Sequence, residues 1–233
     1  MDMLNYERRR EKIEHYFDRT AADTWAKLTS DEPVSGIRQT VREGRDEMRA
    51  TVMSWLPENL SGKRILDAGC GTGALSIEAA QRGAEVIAID LSPNLIRLAK
   101  ERVSEQIGSG SIEFIVGDMR QNALGNFDHI VAMDSLIHYD PVDGMQTLES
   151  MAESVTSSII FTFAPRTALL AVMHGVGQCF PRSNRSPAIV PIAERKLQEE
   201  IGASARLKGW SLHRSARVNR GFYISQAQEL VRQ

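Results

Sequence analysis

The sequence is poor in cysteine and has no long apolar run. Two cysteines among 233 residues are too few for a disulfide framework, which indicates a reducing environment. No segment approaches the roughly 18 uncharged apolar residues of a membrane-spanning helix, and the longest candidate, 168–176, is too short. The first residues are charged throughout and lack the apolar core of a signal peptide. The composition therefore predicts a cytoplasmic location.

Positive charge is scarce in the middle of the chain and concentrated in its last third. Residues 61–164 contain seven Lys and Arg against fourteen Asp and Glu, whereas residues 165–233 contain eleven against four. A basic last third suits an anionic substrate or partner, but a solvated basic surface accounts for it equally well. The charge pattern alone leaves both explanations open.

Internal repeats and low-complexity tracts are also absent. Residues 1–60 carry apolar side chains at helical spacing and predict an N-terminal helical arm or lid. Strands then alternate with helices, which predicts an α/β, Rossmann-like core over 61–164 and 193–233, with a doubly wound, mostly parallel sheet. Two final strand candidates predict an antiparallel edge hairpin that completes seven strands. Residues 165–192, interrupted by Pro and Gly, predict a cap insert after strand five.

The first predicted strand runs into a glycine-rich turn, DAGCGTG, that lacks the marks of two nucleotide-binding loops. A P-loop would place Lys and Ser or Thr after its last glycine, but Ala74 and Leu75 follow Gly73. A dinucleotide fingerprint needs G-x-G-x-x-G, and here the third glycine comes one position early. Asp67 stands where pyrophosphate would otherwise bind, which favours a ligand with a positively charged part.

The spacing D-x-G-x-G-x-G closely resembles the first motif of class I S-adenosylmethionine-dependent methyltransferases. It is formed by Asp67, Gly69, Gly71 and Gly73. The ammonium of this cofactor suits the Asp67 carboxylate, and its carboxylate suits backbone N–H groups at a helix start. Glycine lets the backbone approach the ligand without a Cβ clash. Cys70, within the loop, needs no chemical role.

Two further carboxylates end the next two predicted strands. An acid at the position of Asp90 can accept hydrogen bonds from both ribose hydroxyls, and Leu91 beside it joins the predicted cofactor site. The resemblance implies that Asp118 accepts from the adenine amino group, with Met119 packing nearby. A single such acid is more often a turn or cap residue. Three in succession predict binding of S-adenosylmethionine and of its product, S-adenosylhomocysteine.

The fourth predicted strand ends in VAMDSLIHYD, without the polar-Pro-Pro-aromatic tetrapeptide of nucleic-acid amino methyltransferases. Nucleic acid is therefore disfavoured as a partner. Asp134 is predicted to line the cofactor site, and His138 lies near the edge where α/β proteins bind ligands. His138 fits a cap of the following helix equally well. Asp134 and Asp140 alone do not mark a metal site, so no protein-bound metal is predicted.

Over nearly its whole length the sequence resembles the magnesium-protoporphyrin IX methyltransferases of bacteriochlorophyll and chlorophyll biosynthesis. The segments that carry the resemblance are HYFDRTAADTWAKL, RILDAGCGTGALSIEAAQRGAEVIAIDLSPNLI, VAMDSLIHY and FTFAPRTALLAVMHGVGQCFPRSNRSPAIVPI. The first and last are more specific than the cofactor motifs, which any class I enzyme can show. The resemblance implies methyl transfer to one propionate of a metallated tetrapyrrole, giving a monomethyl ester in a photosynthetic pathway.

The predicted insert carries side chains suited to such an acceptor. Apolar residues suit a flat macrocycle, and arginines bind carboxylates bidentately. The predicted substrate-binding residues are His138, Arg166, Met173, Phe180, Arg182 and Arg185. A packed surface loop would show the same composition.

A carboxylate acceptor needs no general base, because it is ionised near pH 7. Its attack on a sulfonium methyl neutralises opposite charges, so exclusion of water favours the reaction. Positioning of the oxygen in line with the methyl–sulfur bond, at about 3 Å, supplies most of the rest. The predicted catalytic residues are His138, which orients the propionate, and Tyr16 of the arm.

Two alternatives stay open. An O-methyltransferase for a quinone precursor or another phenol shares the cofactor half but needs a general base, so its activity falls as His138 is protonated. A non-catalytic cofactor-binding protein also accommodates the glycine turn, although the arm and the insert favour a closed reaction chamber. The resemblance is compatible with transient contact with a magnesium chelatase subunit and with peripheral membrane association.

Overall fold

The structure is a computed structural model that describes residues 3–20, 27–29, 33–103, 107–121, 124–166 and 189–233. Four of the predicted substrate-binding residues, Met173, Phe180, Arg182 and Arg185, lie outside these described residues. Within the described part of the chain, no helix is both long and apolar enough to cross a membrane.

One sheet organises the chain. Its strands are β1 (Arg64–Ala68), β2 (Glu85–Asp90), β3 (Ser111–Val116), β4 (Phe127–Ala132), β5 (Val155–Phe163), β6 (Trp210–Arg220) and β7 (Tyr223–Arg232). The seven strands lie in the order β3-β2-β1-β4-β5-β7-β6. The first five pair in parallel, and β7 pairs antiparallel with both β5 and β6. The predicted doubly wound sheet with an antiparallel edge hairpin is therefore confirmed.

Helices cover both faces of this sheet. They are α1 (Met3–His15), α2 (Gly36–Trp55), α3 (Ala74–Gln81), α4 (Pro93–Arg102), α5 (Pro141–Glu153) and α6 (Glu194–Ala203), with a π-helical turn at Tyr16–Thr20 and 3-10 turns at Leu136–His138 and Ala205–Leu207. Neighbouring strand residues point to opposite faces. Leu66 and Ala68 accordingly pack with residues of α1, α5 and α6, whereas Ile65 packs with residues of α2 and α3.

The N-terminal helices reach the carboxyl ends of the strands, where a site is expected. α2 lies directly on the start of β7, because Gly44 leaves room for the ring of Tyr223. A Cβ at Gly44 would be 2.5 Å from Cδ1 of Tyr223. α1 reaches the other side of the sheet, where Tyr6 and Ile13 are buried among residues of β1, β2 and α5. The division of the chain into arm, core and insert stays a prediction.

Candidate functional site

The glycine-rich turn joins β1 to α3 in a backbone conformation that favours glycine. Gly69, Gly71 and Gly73 have φ angles of 82°, 55° and 78°, in the left-handed region where a Cβ is strained. A Cβ on Gly69 would lie 2.4 Å from Cβ of Ser135, whereas nothing lies within 4 Å of a Cβ built on Gly71. Gly69 thus allows close packing of two loops, and Gly71 faces open space that a ligand can enter.

A cavity of about 550 Å³ lies over the carboxyl ends of the central strands. Many residues predicted to form the cofactor site line it: Asp67, Gly69, Gly71, Asp90, Leu91, Met119 and Asp134. The predicted catalytic residue His138 lines it as well. Among the described residues, Gly73, Asp118, Tyr16 and Arg166 do not line the cavity. Arg166 is exposed, and its backbone N–H donates to the carbonyl of Ile192 at 3.0 Å.

Asp67 is a buried carboxyl group at the floor of this cavity. The Ser76 hydroxyl donates to its Oδ2 at 2.5 Å. Burial raises the pKa of Asp67 to about 7, and the charge of Asp90 adds to the rise while the Ser76 hydrogen bond opposes it. A positively charged ligand group beside Asp67 would favour its ionised form. The carboxyl group therefore suits the ammonium end of an amino-acid ligand.

Asp90 braces the glycine turn from the end of β2. Its Oδ2 accepts from the backbone N–H of Gly71 at 2.9 Å, and its Oδ1 accepts from the N–H of Ser92 at 2.9 Å. Burial raises the pKa of Asp90, against the effect of these backbone hydrogen bonds. A carboxylate has about four lone-pair sites, so Asp90 can hold the turn and still accept from ligand hydroxyls.

Asp118 is bound by the arm. The Tyr6 hydroxyl is 2.8 Å from each carboxylate oxygen of Asp118, and the backbone N–H of Arg120 donates to Oδ1 at 2.9 Å. Burial raises the pKa of Tyr6, so its phenol stays protonated and donates. The Tyr6 ring stacks on Tyr139 at 5.6 Å, and the Arg120 guanidinium lies 4.3 Å from the Tyr6 ring centre. Sequence reasoning missed Tyr6, although it stands one heptad before the buried Ile13.

Asp134 sits just beyond β4 in a left-handed conformation with φ of 53°, which is uncommon for a residue other than glycine. Its carboxylate accepts from the Tyr223 hydroxyl, 3.0 Å from both oxygens, and from the Ser225 hydroxyl at 3.2 Å. Its N–H donates to Oγ1 of Thr162 at 2.7 Å. Nη1 of Arg45 lies 2.9 Å from its Oδ2. These partners belong to α2, β5 and β7.

His138 is buried at the cavity wall, where the arm covers it. Its ring meets Phe17 edge-on, with ring centres 5.3 Å apart. Tyr16, predicted as a catalytic residue, contacts the Phe17 ring edge-on, with ring centres 5.2 Å apart, and its role stays a prediction. Ile13 of α1 and Phe17 of the turn that follows α1 line the cavity together with His138. The helical spacing of this segment identifies its apolar face, but it does not show which of the two aromatic rings lines the cavity.

Asp18 ties the arm to the start of α4. Its Oδ1 accepts from the Ser92 hydroxyl at 3.1 Å and from the Asn94 backbone N–H at 3.0 Å. The carbonyl of Asp18 accepts from Nδ2 of Asn94 at 3.0 Å. A negative charge is favourable at a helix N-terminus. The contact holds the end of the arm beside the strand that carries Asp90.

Within the described part of the chain, no group of three or more His, Cys, Asp or Glu residues is placed to hold a metal ion. Cys70 lines the cavity, where burial raises the pKa of its thiol. The thiol is therefore protonated near neutral pH and a poor nucleophile.

Comparisons with known proteins agree with this geometry. Residues 132–232 match the family model for the magnesium-protoporphyrin IX methyltransferase C-terminus, and residues 65–157 match a methyltransferase domain. The magnesium-protoporphyrin O-methyltransferase of Rhodobacter capsulatus is 50% identical over 226 residues, 97% of each chain. The crystal structure of magnesium protoporphyrin IX methyltransferase from Synechocystis with bound S-adenosylhomocysteine has a TM-score of 0.83 and 29% identity, covering 96% of this chain and 99% of that one. Its S-adenosylmethionine-bound structure has a TM-score of 0.78 and 26% identity, covering 97% of both.

The sheet order, the glycine turn and the strand-end acids define a class I S-adenosylmethionine-dependent methyltransferase. Within this class, the 50% identity to the R. capsulatus enzyme over 97% of each chain shows the family. The chain belongs to the magnesium-protoporphyrin O-methyltransferase family. The resemblance inferred from the sequence is thereby confirmed.

Proposed function

We propose that this protein transfers the methyl group of S-adenosylmethionine to a propionate carboxylate of magnesium-protoporphyrin IX, giving the monomethyl ester. The observation that carries the proposal is one continuous cavity with two unlike halves. The glycine turn, Asp67 and Asp90 form a half that fits the cofactor. The other half is apolar and carries arginines. The R. capsulatus relative, named for this activity, supports the assignment.

The residues of the cofactor half match the parts of S-adenosylmethionine. Asp67 suits the ammonium, Gly71 lets the backbone approach the ligand, and Asp90 suits the ribose hydroxyls. Asp118 is assigned to the adenine amino group, with Leu91 and Met119 as apolar neighbours. When bound, the cofactor supplies an electrophilic methyl group on a sulfonium.

The acceptor half suits a flat apolar ring system. Its apolar lining comprises Ile137, Ala164, Ile189, Phe222 and Ile224. Phe222 and Ile189 are also exposed, by 49% and 39%, so the apolar surface extends to solvent. An apolar wall that is open to solvent suits the flat face of a large macrocycle. The predicted substrate contacts Arg166, Met173, Phe180, Arg182 and Arg185 stay part of the proposal, on the family resemblance.

The propionate is the nucleophile, and it needs no base because it is ionised near neutral pH. His138 holds its oxygen in line with the methyl group, and Tyr16 is assigned a similar contact. Phe17 against His138 limits access of water. Water exclusion favours the reaction, since the charges of carboxylate and sulfonium cancel as the bond forms.

The cellular location, the pathway and the partners of the protein are part of the same proposal. The small number of cysteines favours a reducing compartment such as the cytoplasm. The family resemblance supports a role in bacteriochlorophyll synthesis for photosynthesis, with transient contact with a magnesium chelatase subunit. An apolar product supports loose association with a membrane.

Incubation with magnesium-protoporphyrin IX and methyl-labelled cofactor tests the activity. The expected result is a labelled monomethyl ester. The dimethyl ester, which lacks a carboxylate, is the matched control acceptor and should take no label. Binding of S-adenosylhomocysteine together with label on a phenolic quinone precursor, and none on the tetrapyrrole, would replace the proposal by the phenol alternative.

A further inference from the structure

Helix α2 presents a row of arginines to the cavity. Arg42, Arg45 and Arg49 all line it, and their spacing of three and four residues places them on one helix face. The arginines predicted from the sequence to bind carboxylates, Arg166, Arg182 and Arg185, all lie in the insert and not on α2. The apolar spacing of α2 predicts the helix and its buried face, but it does not show which polar side chains face a site.

The three arginines differ in the groups that they contact. Arg42 donates to the backbone carbonyls of Leu28 and Lys27, at 2.9 and 2.7 Å. Arg49 pairs with Asp46 at 2.9 Å and with Glu78 at 3.6 Å. Arg45 pairs with Asp134, another residue of the cavity wall. Asp46 lines the cavity as well, but its side chain is 52% exposed against 5% for Asp134. Arg45 is thus the member of the row that a buried carboxylate of the cavity wall anchors.

Asp134 holds the Arg45 guanidinium at a defined point. The Asp134 side chain is 5% exposed and that of Arg45 is 22% exposed. Hydroxyls of Tyr223 and Ser225 also donate to Asp134, and burial raises the pKa of Tyr223, which keeps it a donor. A buried carboxylate with several donors is fixed in place. A guanidinium has five N–H groups in a planar fork, so it can bind a buried carboxylate and a ligand carboxylate together.

The sheet order places this pair on the acceptor side. Asp90 ends β2 and Asp118 follows β3, both on one side of β1. Asp134 follows β4, on the other side, and its partners Tyr223 and Ser225 belong to β7. The sequence predicted Asp134 at the cofactor site; here we assign it to the acceptor side instead. A cofactor bound along Asp67, Asp90 and Asp118 therefore leaves Arg45 near the acceptor.

We propose that Arg45, anchored by Asp134, binds the propionate of the tetrapyrrole that is not methylated; this inference rests on the proposed function. The reacting carboxylate loses its negative charge in the transition state, so a cation bound to it would stabilise the ground state more and slow the reaction. The second carboxylate keeps its charge throughout. An arginine bound to it contributes equally to ground-state and transition-state binding and raises affinity without slowing methyl transfer.

Three tetrapyrroles test this assignment directly. Magnesium-protoporphyrin IX has both carboxylates, its monomethyl ester has only the non-reacting one, and its dimethyl ester has none. Tetrapyrrole fluorescence gives the Kd of each on enzyme saturated with S-adenosylhomocysteine, where no methyl is transferred. Arg45→Gln should weaken binding of the diacid and the monoester by a similar factor, about tenfold or more, as for loss of a charged hydrogen bond. Binding of the dimethyl ester should not change.

Two further variants separate recognition from folding. Arg45→Gln leaves the buried Asp134 carboxylate without its cation, which destabilises a fold. The double variant Arg45→Gln with Asp134→Asn removes both charges and should show the same selective loss. Arg38→Gln changes an exposed arginine of the same helix and should bind all three ligands as the wild type does. Turnover adds a second readout: KM for the diacid should rise while kcat stays within about twofold.

An equal loss for all three tetrapyrroles would show a packing role and overturn the inference. A loss confined to the diacid, or a fall in kcat with KM unchanged, would place Arg45 on the reacting carboxylate and overturn it as well. If wild-type enzyme methylates the tetrapyrrole and the variants bind every ligand equally well, only this inference fails. If the wild type binds no tetrapyrrole, the proposed function fails and the inference with it.

Discussion

Burial of Asp67 disfavours its charged form unless a cation is bound beside it. Its pKa of about 7 exceeds the ordinary value of 3.8, so the fold favours the protonated form. That contribution to stability is present at low pH and is lost as the pH rises from about 4 through 7. A bound ammonium reverses the preference, because it favours the ionised carboxylate. Cofactor affinity and the stability of the free protein therefore depend on pH in opposite directions at this residue.

The affinity for S-adenosylhomocysteine should fall by about tenfold between pH 8 and pH 6, as the Asp67 carboxylate takes up a proton near pH 7. Calorimetric titration at pH 6, 7 and 8 measures this. Asp67→Asn cannot ionise, so its affinity should be low and nearly independent of pH in that range. A wild-type affinity that does not change with pH would contradict the assignment of Asp67 to the ammonium.

At the scale of elements, three contacts between the first twenty residues and the core fall at the carboxyl edge of the sheet. Tyr6 of α1 binds Asp118, Phe17 lies against His138, and Asp18 accepts hydrogen bonds at the start of α4. An N-terminal arm that only packed against the core could make its contacts anywhere on the surface of the core. Docking of the arm is thereby coupled to the residues assigned to the cofactor and the acceptor.

Deletion of residues 1–30 removes these arm contacts together, and we expect it to abolish methyl transfer while the core stays folded. Asp18→Ala is the milder change: it removes the acceptor of Ser92 and Asn94, and kcat should fall several-fold. The Ser92 hydroxyl still caps α4 through Leu95, at 3.2 Å, so the loss of stability should be modest, roughly 1 kcal/mol. Glu11→Ala, an exposed change on α1, serves as the control. Turnover and thermal unfolding are measured for each, and a truncated enzyme at full rate would show that the arm only packs.

At the scale of the whole molecule, several of the basic residues that the structure describes in the last third pair with acids. In β6, Arg214 pairs with Glu229, Arg217 with Glu194 and Arg220 with Glu47. Much of the basic surface is therefore neutralised by acids from other segments. Among the residues that the structure describes, the arginines that line the cavity come from α2, in the part of the chain with nearly balanced charge.

Sequence patterns predicted the parts of this molecule that depend on residues close together along the chain. Alternating strands and helices gave the sheet, and the spacing of glycines after Asp67 gave the cofactor turn. The remainder depends on contacts between distant positions: Tyr6 binds Asp118 across 112 residues, and Arg45 binds Asp134 across 89. A hydrophobic period shows which face of α1 or α2 is buried. It does not show which polar side chain that face brings to the site.

The pH dependence of the complete reaction separates the two kinds of acceptor. With both substrates saturating, a carboxylate acceptor stays ionised, so kcat should change little between pH 6 and pH 8. His138→Asn should be tolerated, because an amide can donate a hydrogen bond but cannot act as a general base. A phenol has to lose a proton, and its transfer rate would fall as His138 becomes protonated. If kcat of the wild type falls steeply below pH 7 and His138→Asn is inactive, the acceptor is therefore a phenol. A flat profile in both proteins assigns it to a carboxylate.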